Sequence, residues 1–454
     1  MRLKQQFLIG LLTCALLATS SIFAVPKESS VHVPFKETKL KNGLRVITVE
    51  DHSAPVIALS ITYNVGSRNE RQGRTGFAHL FEHMMFKGSE NVGTGEHFFL
   101  VFNNGGNMNG TTNEDRTNYF ESLPANQLDL ALFLEADRMK SLAITKANLD
   151  NQRNAVQEER RSGVDNQPYG KSGEVQQELL YDNFAYKHTT IGSMEDLNAA
   201  SVEDVAAFFK MYYAPNNAVL VLVGDFNTAD ALKKIRQNFE SIPKQPNPPP
   251  VDMTEPQQTA ERRTTVDDVL ARAPQVDIAF KAVPGNTPDF YALQVLSTSL
   301  QSGQSSRLFQ TLVKDKQLVT GVFGFADEKR GTGAFYISAT LKPGGKPADV
   351  EAAIYDEIAR IQKEGIADWE LQKAKNNTRR NFINGLQSSV SRANTIGHDT
   401  VFYNDPNLIN TRLDKVAAVT KADVQRVANK YLTATNRTVV ITMPKAKGAA
   451  TAAK

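Results

Sequence analysis

Cys14 is the chain's one cysteine. A lone thiol excludes an intrachain disulfide framework and any zinc site built on cysteines, so a bound metal would have to rely on histidine and carboxylate. Histidine is itself scarce, with seven in 454 residues, so two of them close together carry weight. Charge of one sign is not in excess either: 52 Lys and Arg face 49 Asp and Glu, a net +3. Without a basic block there is no electrostatic footprint for nucleic acid, and none is expected as a partner. Long apolar runs are confined to the N-terminus. What is present, 41% hydrophobic and 22% charged residues, is ordinary globular usage. The length suits roughly two to four domains.

Residues 1–24 read MRLKQQFLIGLLTCALLATSSIFA. Arg2 and Lys4 form a basic start, residues 7–17 a nearly unbroken apolar core, and small residues ending in Ala24 precede Val25 and Pro26. This is the pattern of a cleaved secretory signal. The apolar core falls short of the ~20 residues of a spanning helix, and Thr13 is a poor neighbour for a lipidated Cys14. The sequence therefore predicts export, to the periplasm or beyond, with no transmembrane segment after signal removal. The remaining chain has no cysteine, which suits an oxidising compartment.

The mature chain echoes itself. LNAASVEDVAAFFKMYYAPNN begins at Leu197 and VAAVTKADVQRVANKYLTATN at Val416. Ser201 aligns with Thr420, Asp204 with Asp423, Tyr212 with Tyr431 and Asn217 with Asn436 at one constant offset. Each copy has a Ser or Thr helix cap, an amphipathic stretch, a turn and an apolar run of strand character. A duplication follows, with an N-terminal domain over 35–242 and a homologous one over 265–445. The proline-rich stretch 243–264 between them reads as a linker, and 446–454 as a frayed tail. In the first half, residues 44–50 and 56–65 read as an antiparallel strand pair. A further strand is expected near 117–120, and helices over 126–142 and 147–162. Strands mixed with long helices predict an α+β fold.

The stretch GFAHLFEHMMFKG places His79, Glu82 and His83 among apolar neighbours. On a helix His79 and His83 stand at i and i+4, so both imidazoles leave one face and can share a tetrahedral ion. Glu82 lies close enough to face water on that ion. The order is H-x-x-E-H, the inverse of the common zincin motif. Two histidines leave the ion short of a ligand. A candidate segment is DNQRNAVQEERR, residues 150–161, where Glu158 and Glu159 compete. At 100° per residue Glu159 shares a face with Gln152, Ala155 and Val156, while Glu158 turns away, a modest preference for Glu159.

These motifs resemble those of the pitrilysin/insulinase-like zinc peptidases, the inverzincins, and in particular the shorter branch around the mitochondrial processing peptidase. The resemblance continues through FKGSENV, GGNMNGTTNEDRTNYF, NAVQEE, IGSMEDL and SSRLFQTLV, and so covers almost the whole mature chain. It implies two homologous α+β domains, each a mixed or antiparallel sheet flanked by helices, facing each other across a chamber, with the metal motif in the first only. It implies one Zn²⁺ per chain held by His79, His83 and Glu159, the family's ligand spacing selecting Glu159 over Glu158. Glu82 would be the general base in hydrolysis of short or unfolded peptides. The strand near Asn107, Asn109 and Thr111 would pair with extended substrate, although Asn109 reads equally well as a turn residue beside Gly110.

Two departures stand out. Where some relatives carry a supporting glutamate, this chain has Gln152. Where many carry an arginine and a tyrosine that stabilise the substrate carbonyl, this chain has Val313 and Thr320. The expectation is a heterodimer whose homologous subunit supplies the missing pair. The alternative is a catalytically weak or inactive subunit with an assembly or peptide-binding role. His188 reads as a structural turn residue, His97 and His398 as isolated, and Arg307 as the brace of a helix start.

Overall fold

The protein was analysed as a computed structural model that describes residues 32–445. The proposed signal and the tail, 1–24 and 446–454, lie outside the described residues. Two sheets organise the rest. The first contains β1 (Lys36–Lys39), β2 (Arg45–Glu50), β3 (Val56–Tyr63), β4 (Asn107–Thr112), β5 (Thr117–Pro124) and β6 (Ala218–Gly224) in the order β1-β2-β6-β3-β5-β4. The second contains β7 (Arg262–Asp268), β8 (Gln275–Lys281), β9 (Val319–Ala326), β10 (Ala334–Leu341) and β11 (Arg437–Pro444) in the order β7-β11-β8-β10-β9. Strand for strand the second repeats the first without β1. The α+β expectation holds.

One pairing differs from the sequence reading. Strands β2 and β3 do not pair with each other, because β6 lies between them, parallel to β2 and antiparallel to β3. The reason is burial: all seven residues of β6, AVLVLVG, are buried. A continuously apolar strand belongs at the centre of a sheet covered on both faces, and a local hairpin would have left it outside.

The duplication is visible residue by residue. The Val202–Tyr212 and Lys421–Tyr431 helices start 219 positions apart (421 against 202), as do β6 and β11 (437 against 218). Their caps match: Ser201 Oγ accepts from the Asp204 amide, and Thr420 Oγ1 from the Asp423 amide. The segment between the halves is irregular through residue 261, but β7 already begins at Arg262, inside the stretch read as linker. It is also pinned rather than loose: Glu255 accepts from Lys281 Nζ at 2.6 Å and Gln258 donates to the Arg437 carbonyl.

The first-half helices that matter for the site are α1 (Phe77–Met84), α2 (Glu96–Asn103), α3 (Leu128–Ser141), α4 (Lys146–Arg160) and α5 (Gly170–Leu180). Helix α5 packs on β8 and β11 of the second sheet, while the Ser389–Tyr403 helix packs on β3, β5 and β6 of the first. These two helices also start 219 positions apart (389 against 170). Each half thus lends its partner sheet one helix. Asn394 Oδ1, from the second half, accepts from Ser60 Oγ at 2.8 Å and Asn118 Nδ2 at 3.0 Å. A cavity of about 560 Å³ lies between α5 and the second sheet, lined by Glu174, Asp277, Phe325 and Lys329 among others.

The exchange predicts a specific sensitivity. A Cβ on Gly397 would stand 2.5 Å from Thr62 Oγ1 of the first sheet. Gly397→Val should therefore lower the unfolding free energy by about 1–3 kcal/mol, the usual cost of overpacking, seen as a lower urea midpoint. An unchanged midpoint would contradict this packing.

Candidate active site

Helix α1 starts at Gly76, whose φ of +82° suits glycine and which brings no side-chain cap. The cap comes from upstream: Glu70 accepts from the Gly76 amide at 3.0 Å and from the Ala78 amide at 2.7 Å. That satisfies two of the amides a helix start leaves open, and puts a carboxylate at its positive end. Ala78, Leu80, Phe81 and Met84 are buried, with Phe81 stacked near Phe208, Phe209 and Tyr213. This apolar packing sets the helix's rotation and turns His79 and His83 toward α4.

From α4, Glu159 meets them. Its Oε2 lies 3.6 Å from His79 Nε2 and 3.4 Å from His83 Nε2. Four ligands about 2.0–2.1 Å from a tetrahedral zinc stand roughly 3.3–3.4 Å from one another. The two nitrogen–oxygen separations therefore sit near the edge length of that polyhedron, all three atoms lie within 4.8 Å of one another, and two nitrogens with one carboxylate oxygen form a zinc-type donor set. Glu158 points elsewhere and pairs with Arg161 at 3.0 Å. Burial, reinforced by His83, pushes the His79 imidazole down to about 4. Burial also lowers His83, against the opposing pull of Glu159 and a hydrogen bond to Gln152. Both imidazoles are thereby kept in the neutral form that metal binding needs. Gln152, buried on α4, thus touches the site through His83.

Glu82 is buried beside this trio. Burial drives its carboxyl up to about 7, partly countered by Thr112 and Arg116. The Thr112 hydroxyl donates to Oε2 at 2.6 Å, leaving Oε1 open. Strand β4 passes so close that a Cβ on Gly110 would be 2.9 Å from Glu82 Oε1. The contacts of Thr112, Arg116 and Gly110 with Glu82 carry no mark in the sequence, because they span some thirty positions.

Strand β4 is the free edge of the first sheet. Asn107 and Asn109 are exposed on it. Asn109 Oδ1 turns back to accept from the Gly110 amide at 2.8 Å, the local bond of a turn-type residue. Thr111 presents both its carbonyl and its hydroxyl to Arg116 Nη1, at 2.7 and 2.6 Å. Val313 packs against the second core, and Thr320 donates to the Thr340 carbonyl. Arg307 grips Glu370 through two 2.7 Å bonds, a brace as expected.

His97 is not isolated. It lies with Glu121 and Glu135 in a buried cluster whose candidate ligand atoms fall within 4.8 Å of one another. Its partners come from β5 and α3, which sequence spacing could not reveal. Arg138 takes both oxygens of Glu135 and stacks on Tyr119 at 4.6 Å, so the cluster ties α2 and α3 to the sheet.

A helix-borne pair of histidines, a distant glutamate and an adjacent buried carboxylate on a duplicated α+β chain define an inverted-motif metallopeptidase architecture. Residues 45–193 match the family model described as Insulinase (Peptidase family M16), and residues 199–378 that described as Peptidase M16 inactive domain. The zinc protease PqqE of Helicobacter pylori is 32% identical over 446 residues, 94% of this chain and 98% of that protein. A probable mitochondrial-processing peptidase subunit beta of Arabidopsis thaliana is 24% identical, covering 87% of this chain and 76% of its own. The crystal structure of a protease from Helicobacter pylori superposes with a TM-score of 0.87 at 31% identity, covering 91% of this chain and all (100%) of that one. The chain belongs to the M16, insulinase-type, peptidase family.

The ligand geometry is testable. Glu159→Gln should weaken zinc binding by more than about 100-fold, beyond the range typical of supporting residues, while Glu158→Gln stays within about twofold. Chelator competition reads both. Equal losses in the two variants would contradict the assignment.

Proposed function

We propose that this chain is an exported, zinc-dependent endopeptidase acting on short or unfolded peptides. The observation that carries this reading is the convergence of His79 Nε2 and His83 Nε2 on Glu159 Oε2, with Glu82 buried alongside. When bound, zinc polarises the scissile carbonyl and acidifies the attacking water. Glu82 takes the proton at Oε1, the oxygen Thr112 leaves free, and returns it to the departing amine. An acid near 7 is suited to both transfers. The edge position of β4 leaves room for an extended peptide to pair beside Asn107, Asn109 and Thr111, and backbone pairing tolerates varied side chains. Export rests on the signal pattern of residues 1–24. Among the described residues no helix is long and apolar enough to cross a membrane.

The carbonyl-stabilising half of the machinery is what this chain lacks at Val313 and Thr320. A homologous second subunit supplying an arginine and a tyrosine completes the site, and losing one such donor typically costs ~10²–10³ in rate. The subunit beta named among the relatives supports an assembly of this type. The same gap favours a second reading, a weakly active subunit serving assembly or peptide binding.

Peptide hydrolysis by the chain alone and mixed with a candidate partner, with metal content measured, separates the two readings. The proposal expects one zinc per chain and a rate rise on mixing. No hydrolysis in any mixture, despite bound zinc, would favour the second reading. Glu82→Gln should cut kcat by about 10²–10⁴, the usual range for a lost acid–base group, with zinc stoichiometry unchanged. Parental turnover in that variant would remove Glu82 from its role.

A further inference from the structure

The two ligand-bearing helices touch a common third segment, residues 188–200, that contributes no ligand. His188 anchors its start. Its Nδ1 faces the Phe184 carbonyl at 2.8 Å, and its Nε2 faces the Ser67 carbonyl at 3.1 Å and Glu70 Oε2 at 2.9 Å. The ring thus faces three oxygens, with Glu70 at ion-pair distance; burial raises the Glu70 carboxyl and the bond to His188 pulls it back. Burial alone would lower this imidazole, but its bond to Glu70 carries it upward. Glu70 is the carboxylate that caps the start of α1. The side chain that holds the cap in place is therefore His188.

The same segment then meets α1 backbone to backbone. A Cβ on Gly192, whose φ is +71°, would stand 2.4 Å from the Gly76 amide nitrogen, so two glycines are needed for this contact. Asp196 accepts from both the amide and the hydroxyl of Thr75, at 2.9 and 2.5 Å. On its other side the segment receives α4. Arg160, adjacent to Glu159, donates to the Gly192 carbonyl at 2.7 Å while its fork grips Glu174. One face of α4 repeats the contact: Gln157 donates to Asn198, and Arg153 to the Leu197 and Ala200 carbonyls. Gly192 is the meeting point, carrying the start of the histidine helix on one side and the neighbour of the third ligand on the other.

We infer that residues 188–200 form a bracket that sets the separation of His79 and His83 from Glu159, with the His188–Glu70 ion pair and Arg160 as its positioning residues. None of these belongs to the candidate ligand group. They act through the helices they hold, and metal affinity is fixed partly outside the ligand set. This rests on the reading of His79, His83 and Glu159 as ligands.

The test uses the full chain, with zinc affinity by chelator competition and the visible spectrum of the Co²⁺-substituted protein. His188→Gln and Glu70→Gln should each raise the zinc Kd by about 10–100-fold, the range for groups that orient ligands, and shift the cobalt bands. As the two act as one pair, the double variant should bind no more weakly than the weaker single one. Arg160→Lys keeps the charge but loses the fork, and probes the other arm should the His188 variant fail to fold. It too should raise the Kd and move the bands. Wild-type affinity and superimposable cobalt spectra in Arg160→Lys and in a folded His188→Gln would overturn the bracket, as would additive losses in the double variant for the ion pair. A wild-type chain that binds neither metal would instead overturn the ligand assignment itself.

Discussion

The molecule is organised around three atoms that must meet: two imidazole nitrogens of α1 and one carboxylate oxygen of α4 that lies 3.4 and 3.6 Å from them. Buried imidazoles without partners are costly, and His79 Nδ1 has none among the described residues. A divalent ion held at the two Nε2 atoms, as proposed, would give both rings a ligand role, and the packing around them holds the geometry. Phe81 and Met84 fix the rotation of α1, Glu70 its start, and Gly110 lets β4 approach Glu82.

The duplication explains how such a site sits in one half alone. Both halves share the strand order, the capped helix and the turn, which are matters of packing. The H-x-x-E-H motif occurs in the first copy only. The exchange of helices, with α5 on one sheet and the Ser389–Tyr403 helix on the other, buries each sheet's second face with its partner's chain. Contacts such as Asn394 with Ser60 then make the halves one folding unit, so a substitution at Gly397 is felt in the sheet behind the metal helix.

Much of this was legible in the sequence where the signal is local or periodic. The H-x-x-E-H motif, the constant offset between repeats and the helical phase of Glu159 all depend on spacing along one chain. The failures share a cause. The misplaced pairing of β2 with β3 overlooked β6, which arrives from far along the chain and takes the centre because all its residues are apolar. His97 looked isolated because its carboxylates belong to β5 and α3. Thr112 and Arg116 around Glu82 became visible only once β4 was folded against α1, since a threonine or arginine carries no mark of its eventual neighbour.

Convergence of His79, His83 and Glu159 on one ion is tested most directly by zinc-edge anomalous diffraction from crystals of the full chain. It predicts one peak per chain, about 2.0–2.2 Å from His79 Nε2, His83 Nε2 and a Glu159 carboxylate oxygen. A peak elsewhere, or none with Glu159 turned away from both rings, would contradict it.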